Sequence, residues 1–366
     1  MNLLYIVNFH APMGGLHENV YASALYMKKQ GCTVYVVLKP GRLQERMESK
    51  GIHTITTDFS DANAAMENIE NTGVAFDLVH FHPGPSKYSA LKYSSKYKVP
   101  LIETYHGIWM DDLEDHIGQL DAIITVSEGI KNHLQRQIDR HHEKYYVMPN
   151  GYDSNLFDQP QYYQEKSNEI TIGFVTRLDN DKEFIIDILL LAVNHIKTKT
   201  NVRVNIHMIG DGTHREEFME LCQNMLKNTE HTIQFKGWLV DEELKDAYLG
   251  CDIIIAPGRS AIEGMGCGKP VIAVGSKKYT GLITQTNWQS GVHSNFGGAG
   301  KRFIDYEIGN IENDLDYLLD EKENINKLGR FGHAIAKQFF NADCINENLF
   351  NFYKIIILSK NHNRGI

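Results

Sequence analysis

None of the five cysteines, at positions 32, 222, 251, 267 and 344, stands at CxxC spacing or in a Cys/His cluster. That argues against a disulfide framework and a structural zinc site, and fits reduced thiols in the cytosol. Nor does any segment approach the roughly 18 apolar residues of a membrane helix. The amino terminus, Met1-Asn2-Leu3-Leu4-Tyr5-Ile6-Val7-Asn8, lacks a basic leader. Its apolar run breaks at Asn8 and His10, too early for a signal peptide. Basic residues are not in excess: the formal net charge is -9, which argues against a non-specific nucleic-acid binder. An anionic ligand stays open, because a local pocket can be basic inside an acidic protein. Short-period repeats and low-complexity tracts are also missing. The expectation is a soluble cytoplasmic protein, at most in peripheral contact with the inner membrane surface.

What is present is a repeated alternation. At 366 residues the chain is about twice a usual domain, so two domains are expected. Short Val/Ile-rich runs alternate with helix-like stretches. Strands are predicted at Leu3–Phe9, Thr33–Leu38, Leu78–His82, Leu101–Thr104, Ala122–Val126 and Tyr145–Met148. A helix is predicted over His17–Gln30, ending at Gly31. The segment from Pro149-Asn150-Gly151-Tyr152-Asp153 to Asn168 reads as a linker. A second series follows at Ile170–Thr176, Arg203–Ile209, Ile233–Gly237, Ile253–Ala256 and Val271–Val274. Such alternation implies α/β architecture, two doubly wound Rossmann-like domains facing across a cleft at the carboxyl ends of both sheets. The expected bounds are 1–160 and 165–338, and a last helical stretch, Ala334–Leu358 or about 340–366, is expected to pack back on the first domain.

Several motifs recur in a set order: Gly14-Gly15, Tyr105-His106-Gly107, Ile124-Thr125-Val126-Ser127 and Met148-Pro149-Asn150-Gly151-Tyr152-Asp153 with Phe157. The second half adds Thr176-Arg177-Leu178 with Lys182, Ile209-Gly210-Asp211-Gly212, Phe235-Lys236-Gly237-Trp238, and Glu263-Gly264-Met265-Gly266-Cys267-Gly268-Lys269-Pro270-Val271-Ile272-Ala273. In that order and spacing the chain resembles GT-B glycosyltransferases, in particular the retaining family 4. The resemblance implies an acceptor-side first domain and a donor-binding second domain. It implies a hexosyl-type transfer from a nucleotide sugar, UDP-linked by expectation, to a hydroxyl on a glycan, lipid-linked or protein acceptor. Neither a cofactor nor a metal is implied, and cell-surface glycan or glycoconjugate synthesis fits. Two alternatives on the same fold stay open: a nucleotide-sugar 2-epimerase, and a non-catalytic nucleotide-sugar-binding subunit.

Breaking a diphosphate–sugar bond leaves negative charge on the nucleotide, and fixed cations there favour the transition state. Arg177 and Lys182 stand after a predicted strand and, by resemblance, contact the donor phosphates. Thr176 and Glu183 replace glycines usual in the family. The intervening Asp179-Asn180-Asp181 reads as a polar loop rather than a metal motif. Pro257-Gly258 leads into a helix start at Gly258-Arg259-Ser260, a natural diphosphate seat. Glu263 matches the family glutamate that binds ribose, while Ile255 stands where a first glutamate is usual. Ser260-x-x-Glu263 is equally the spacing of a capping box. Gly264, Gly266 and Gly268 cost helix stability, which the close approach of a ligand, or of a neighbouring backbone, explains; the ligand reading is the expectation.

Gly14 and Gly15 open the backbone to a diphosphate or acceptor. They do not form a full GxGxxG, so nicotinamide binding is not expected. His106 ends a strand and, by resemblance, lies near the donor sugar. His80 and His82 are acceptor-side candidates without a third ligand at metal spacing. Gly210, Gly212, Lys236, Gly237 and Trp238 are placed by resemblance around the base. Asp111-Asp112 with Glu114-Asp115 reads as a helix start or solvated face, and Gly275–Arg302 as a long loop over the donor or a partner surface.

Overall fold

The computed structural model describes residues 1–8, 14–164, 168–300 and 306–362. Phe9, Lys301, Arg302, residues 165–167 of the expected linker and 363–366 of the last helix lie outside them. The chain forms two compact units, Met1–Asn150 with Ala342–Ile366, and Gly151–Asn341.

The first unit holds strands β1 (Asn2–Ile6), β2 (Thr33–Leu38), β3 (His53–Thr56), β4 (Leu78–Phe81), β5 (Leu101–Tyr105), β6 (Ala122–Thr125) and β7 (Tyr145–Val147). They form a sheet in the order β3-β2-β1-β4-β5-β6-β7, every pairing parallel. β1, β4, β5 and β6 are buried almost throughout, so they carry mostly apolar residues on both faces, with the buried polar His80, Glu103 and Thr104 among them. β3 was not expected. It is an edge strand in which only Ile55 is buried, too weak a signal against its polar neighbours.

The second unit holds β8 (Glu169–Val175), β9 (Arg203–Ile209), β10 (Thr232–Gly237), β11 (Ile253–Ala256), β12 (Val271–Val274) and β13 (Tyr279–Leu282). Their order is β10-β9-β8-β11-β12-β13, parallel except that β13 runs antiparallel to β12. In each sheet the strand order reverses beside the first strand, at β1/β4 and at β8/β11. Loops leaving the carboxyl ends diverge there and leave room for a ligand.

Three expectations change. The linker reading is overturned at its start: Tyr152 and Phe157 are 0% and 3% exposed in the second unit's core. Gly275–Arg302 is no loose loop over its described part: it supplies β13, the helix Trp288–His293 and the buried Phe296. The last helical stretch is two helices, Glu323–Phe339 and Ala342–His362, broken at Phe340-Asn341. Phe340 is buried and its carbonyl accepts from the Tyr152 N–H, so the chain leaves the helix to complete a bridge between Tyr152 and Asn341. The second helix packs on Gly15–Lys29 in the first unit.

The glycines after Glu263 answer to packing, not to a ligand. A Cβ on Gly264 would meet Ile254 at 3.1 Å, and one on Gly266 would lie 2.8 Å from the Tyr152 ring. Gly268, at φ +75°, abuts Pro160. Gly266→Ala should therefore destabilise the protein by about 1–3 kcal/mol through overpacking, outweighing a helix-propensity gain of at most about 1 kcal/mol. A urea midpoint equal to or above wild type would show that the Tyr152 ring yields instead.

Candidate active site

In the second unit β8 delivers the chain to Thr176, and Leu178, fully buried, pins the loop that follows. The Leu178 N–H donates to the Asp211 carbonyl at 3.0 Å, and its carbonyl accepts from the His214 N–H at 2.8 Å. The loop after β9 thus lies backbone to backbone against the loop after β8. Such contact leaves no room for side chains: a Cβ would sit 1.9 Å from the Thr176 oxygen at Gly210 and 2.4 Å from the Leu178 backbone at Gly212. Both glycines shape the Arg177 loop.

That loop gathers charge. The Arg177 guanidinium pairs with Asp179 and, at 3.1 Å, with Asp181. Asp181 also takes Lys182 Nζ at 2.8 Å, and Lys182 donates to Ser276 Oγ, after β12, at 2.9 Å. Asp179 accepts in addition from the Thr213 N–H at 3.1 Å. The DND segment is thus the frame that holds two like charges together, a role the polar-loop reading missed. Burial holds the Lys182 ammonium below the usual lysine range, partly countered by Asp181. A half-buried lysine of this kind gains from a further anion beside it.

β11 leads through Pro257, in extended conformation, and Gly258, at φ +47°, into the helix Gly258–Gly266. The first-turn amides of this helix open at the carboxyl edge, on the strand next to β8. No capping box forms. Pro257 is the N-cap, no side chain caps the helix, and Ser260 lies within its first turn. Glu263, 4% exposed, instead takes Arg259 Nε at 2.7 Å and the Tyr248 hydroxyl at 3.1 Å. Tyr248 has one proton for two acceptors, Glu263 and the Ser260 carbonyl, both at 3.1 Å. Burial, with Glu263 adjacent, raises the Tyr248 pKa far above the usual phenol range and keeps it a donor. The Glu263 carboxylate is thus enclosed against Arg259 and Tyr248, with lone pairs to spare for a further donor. Lys236 is exposed on β10 and donates to Gln234 at 2.9 Å, while Gly237, at φ +69°, bridges to Gly210. Trp238 follows, half-buried.

In the first unit His82 follows β4 and His106 follows β5. His106 Nε2 lies 3.3 Å from His82 Nδ1, and the His82 ring stacks on His80 with centroids 5.2 Å apart. His80 is no acceptor ligand: it is 4% exposed, with Nδ1 2.5 Å from the Tyr353 hydroxyl and Nε2 2.6 Å from Thr104 Oγ1. His82 is 1% exposed and likewise withdrawn from an acceptor, whereas His106 is half-buried. Burial depresses both inner rings, His80 to about 3 and His82 well below the usual imidazole value. Among the described residues no group of three or more His, Cys, Asp or Glu is placed to hold a metal ion.

Asp111 is not on a solvated face. It is 6% exposed, accepts from the Gly84 N–H at 2.6 Å and from Lys87 Nζ at 3.1 Å, and so ties the His106 loop to the His82 loop. Beneath it, Glu103, 0% exposed, pairs with His116 at 2.9 Å. Neither pair was legible in sequence, because their members stand 24 and 13 residues apart. Gly14 is extended, at φ 170°, with nothing within 4 Å of a Cβ placed on it, and Gly15 begins the first helix.

Two Rossmann-like units, one with clustered cations and a helix start at its strand-order reversal, define the class: a GT-B glycosyltransferase. Residues 13–156 match the family Glycosyltransferase Family 4, and residues 157–330 match Glycosyl transferases group 1. The chain is a glycosyltransferase resembling family 4. It is 24% identical to the uncharacterized glycosyltransferase MJ1607 of Methanocaldococcus jannaschii over 54% of this chain and 57% of that one. It is 26% identical to MJ1178 of the same organism, over 76% and 74% of the two chains. The match thus spans little more than half the length of the first relative. Anabaena HepE, solved with UDP and glucose, shares the fold at TM-score 0.72 and 18% identity, over 97% of this chain and 99% of that one.

Two predictions follow from the buried pairs. Arg259→Ala leaves the Glu263 carboxylate buried without its cation and should cost about 3–5 kcal/mol; the double variant Arg259→Met/Glu263→Leu should recover most of it. Chemical denaturation reads both, and a single-variant cost under about 1 kcal/mol would mean water screens the pair. For Glu103, burial comes first and raises its pKa; His116 is lowered by burial but raised on balance by Glu103. Both groups keep protons to higher pH when folded, so folding takes up protons and stability falls as pH rises. The His116 contribution is complete below its unfolded value, near 6.5, and is lost through the raised folded value. Wild type should lose urea resistance over that range, and His116→Gln should flatten the profile.

Proposed function

We propose that the enzyme transfers a hexosyl group from a UDP-sugar to a hydroxyl of a glycan, lipid-linked or protein acceptor, with retention and without a metal ion. The observation that carries this reading is the Arg177–Lys182 pair, assembled by Asp179 and Asp181 beside the strand-order reversal at β8/β11. Cations fixed at that place suit a diphosphate, and the helix start at Gly258 adds aligned amides. UDP is the favoured nucleotide because HepE, of the same fold, was solved with UDP and glucose. The likeness to family 4 supports retention and metal independence, with protein cations balancing the leaving-group charge.

In this reading Arg177, Lys182 and the Gly258-Arg259-Ser260 turn bind the diphosphate. Gly210, Gly212, Lys236, Gly237 and Trp238 flank the base. Gly14, whose Cβ position is open, lets the backbone approach a ligand. His106 hydrogen-bonds the sugar. The acceptor oxygen bonds to the anomeric carbon as the bond from that carbon to the diphosphate oxygen breaks. The electron pair leaves on the nucleotide diphosphate, and the acceptor proton passes to a donor phosphate oxygen. Arg177 and Lys182 stabilise the charge that grows on the leaving group, and before that moment their own carboxylates hold them in place.

No helix among the described residues is long and apolar enough to cross a membrane. A role in cell-surface glycan or glycoconjugate synthesis accords with a lipid-linked or polymeric acceptor.

A panel of UDP-, GDP- and ADP-sugars with varied acceptors tests the assignment. Acceptor-dependent release of UDP is expected. An interconverted donor would indicate an epimerase, and tight binding without turnover a sensor subunit. Arg177→Ala and Lys182→Ala should each lower kcat about 10²–10³-fold with an unchanged melting temperature. Near-normal turnover in either variant would sink the phosphate assignment.

A further inference from the structure

Two exposed aromatic rings of the first unit have no part in the transfer as described. Trp109, 63% exposed, stands in the loop after β5. Tyr88, 54% exposed, stands in the first turn of the helix Ser86–Tyr97, which follows β4. Single surface aromatics are ordinary, but these two share one brace. β4 and β5 are neighbours, so both loops leave the same carboxyl edge, next to the strand-order reversal at β1/β4. Lys87, buried, precedes Tyr88 and donates to the Asp111 carbonyl at 2.8 Å and to the Asp111 and Asp112 carboxylates at 3.1 Å each. Its ammonium also lies over the Tyr88 ring, 5.4 Å from the centroid. On the other loop the Tyr105 hydroxyl donates to the Met110 carbonyl at 3.2 Å, and Asp111 and Asp112 both take positive φ, +46° and +53°. Two consecutive residues other than glycine keep that conformation only where their surroundings enforce it. The backbone that displays Trp109 is therefore fixed, while its ring stands in water.

We propose that Trp109, Tyr88 and Asp112 form a glycan-binding subsite, which selects an oligosaccharide as the acceptor. A pyranose carries C–H bonds on its faces and hydroxyls around its rim. The C–H bonds lie against the negative face of an aromatic ring, and the hydroxyls donate to carboxylates. Asp112 offers such an acceptor, since its side chain is 75% exposed while Lys87 holds it in place. Platforms fixed before the sugar arrives lose little freedom on binding, which suits a neutral, weakly held ligand. A bilayer is the other surface that takes up exposed tryptophan, and the charge here disfavours it. The exposed residues that next follow Trp109 are acidic, Asp112, Glu114 and Asp115, and Arg140, which donates to the Glu114 carbonyl, does not outweigh them. Anionic membrane surfaces attract clustered Lys and Arg and repel such a loop. Use of the subsite in transfer rests on the transferase reading above, whereas binding of the glycan does not.

Fluorine NMR of the full chain with 5-fluorotryptophan reads the site directly, because the chain has three tryptophans and Trp109→Phe assigns the exposed one. The probes are short neutral oligosaccharides of glucose, mannose, galactose and N-acetylglucosamine, added without nucleotide. At least one series should move the Trp109 signal saturably and leave those of Trp238 and Trp288 in place. Trp109→Ala and Tyr88→Ala should each weaken that binding about ten-fold, read by saturation transfer to the sugar. Tyr317→Ala, at an exposed tyrosine of the second unit, should leave it unchanged. With the same oligosaccharide as acceptor, Trp109→Ala should raise the acceptor KM about ten-fold, with UDP affinity unchanged. A Trp109 signal that no oligosaccharide moves, or that vesicles of phosphatidylglycerol and phosphatidylethanolamine move instead, would overturn the subsite, whatever transfer is found. Should either alanine variant not fold, the wild-type titrations decide. Saturable binding at Trp109 without any transfer would uphold the subsite and count against the transferase reading.

Discussion

Two cations held side by side repel each other, and a protein that keeps them so must supply anions before any ligand arrives. In the second unit those anions come from the same loop: Asp179 and Asp181 share Arg177 and Lys182 between them. Much else in that unit serves this arrangement. Leu178 anchors the loop in the core, the two loop glycines after β9 allow it to be backed by main chain alone, and Ser276 catches the far end of Lys182. The two cations and two carboxylates leave the loop close to neutral. Such pairing separates this cluster from a generic basic patch, and it lets cations gather in a protein of net charge -9.

The buried polar pairs follow one rule: a charge removed from water survives only beside its partner. Arg259 with Glu263, Lys87 with Asp111, and His116 with Glu103 are each enclosed; the first pair lies within one helix turn, and the other two join separate segments of the first unit. Replacing them by apolar groups could leave stability unchanged. Their value here is geometric: Lys87 with Asp111 ties two strand-end loops together, His116 with Glu103 ties a short helix to β5, and Arg259 with Glu263 fixes side chains within the helix after β11. The histidine stack works in the same way without charge, because burial keeps the inner rings neutral and turns them into directional donors and acceptors.

Much of the fold was legible. Thr33–Leu38, Arg203–Ile209, Ile253–Ala256 and Val271–Val274 coincide with strands: the last two are apolar on both faces, whereas Arg203–Ile209 alternates, its buried Val204, Ile206 and Met208 at every second position. His53–Thr56 and Tyr279–Leu282 were not legible, being edge strands, the first with a single buried residue and the second interrupted by Gly281. Arg177 and Lys182 were singled out by the motif that resembles family 4, together with the charge on a departing diphosphate. Glu263 was singled out too, but its partners were not: Arg259 lies one turn back on its helix, and Tyr248 belongs to the helix before β11. The glycines near it show the limit most plainly, since helix-breaking residues in sequence look alike whether a ligand or a tyrosine ring lies above them.

The sequence by itself determined the architecture and the class of chemistry. Apolar periodicity dictates parallel sheets, parallel sheets place loops at one edge, and cations on such loops point to phosphate. Tertiary structure alone decided which side chains are spoken for. Hydrogen-bond partners tens or hundreds of residues apart, such as His80 with Tyr353 or Lys182 with Ser276, follow from how elements pack, which no local pattern encodes. Burial then sets the protonation of each group, and with it whether a histidine or glutamate is a ligand, a brace or a pin.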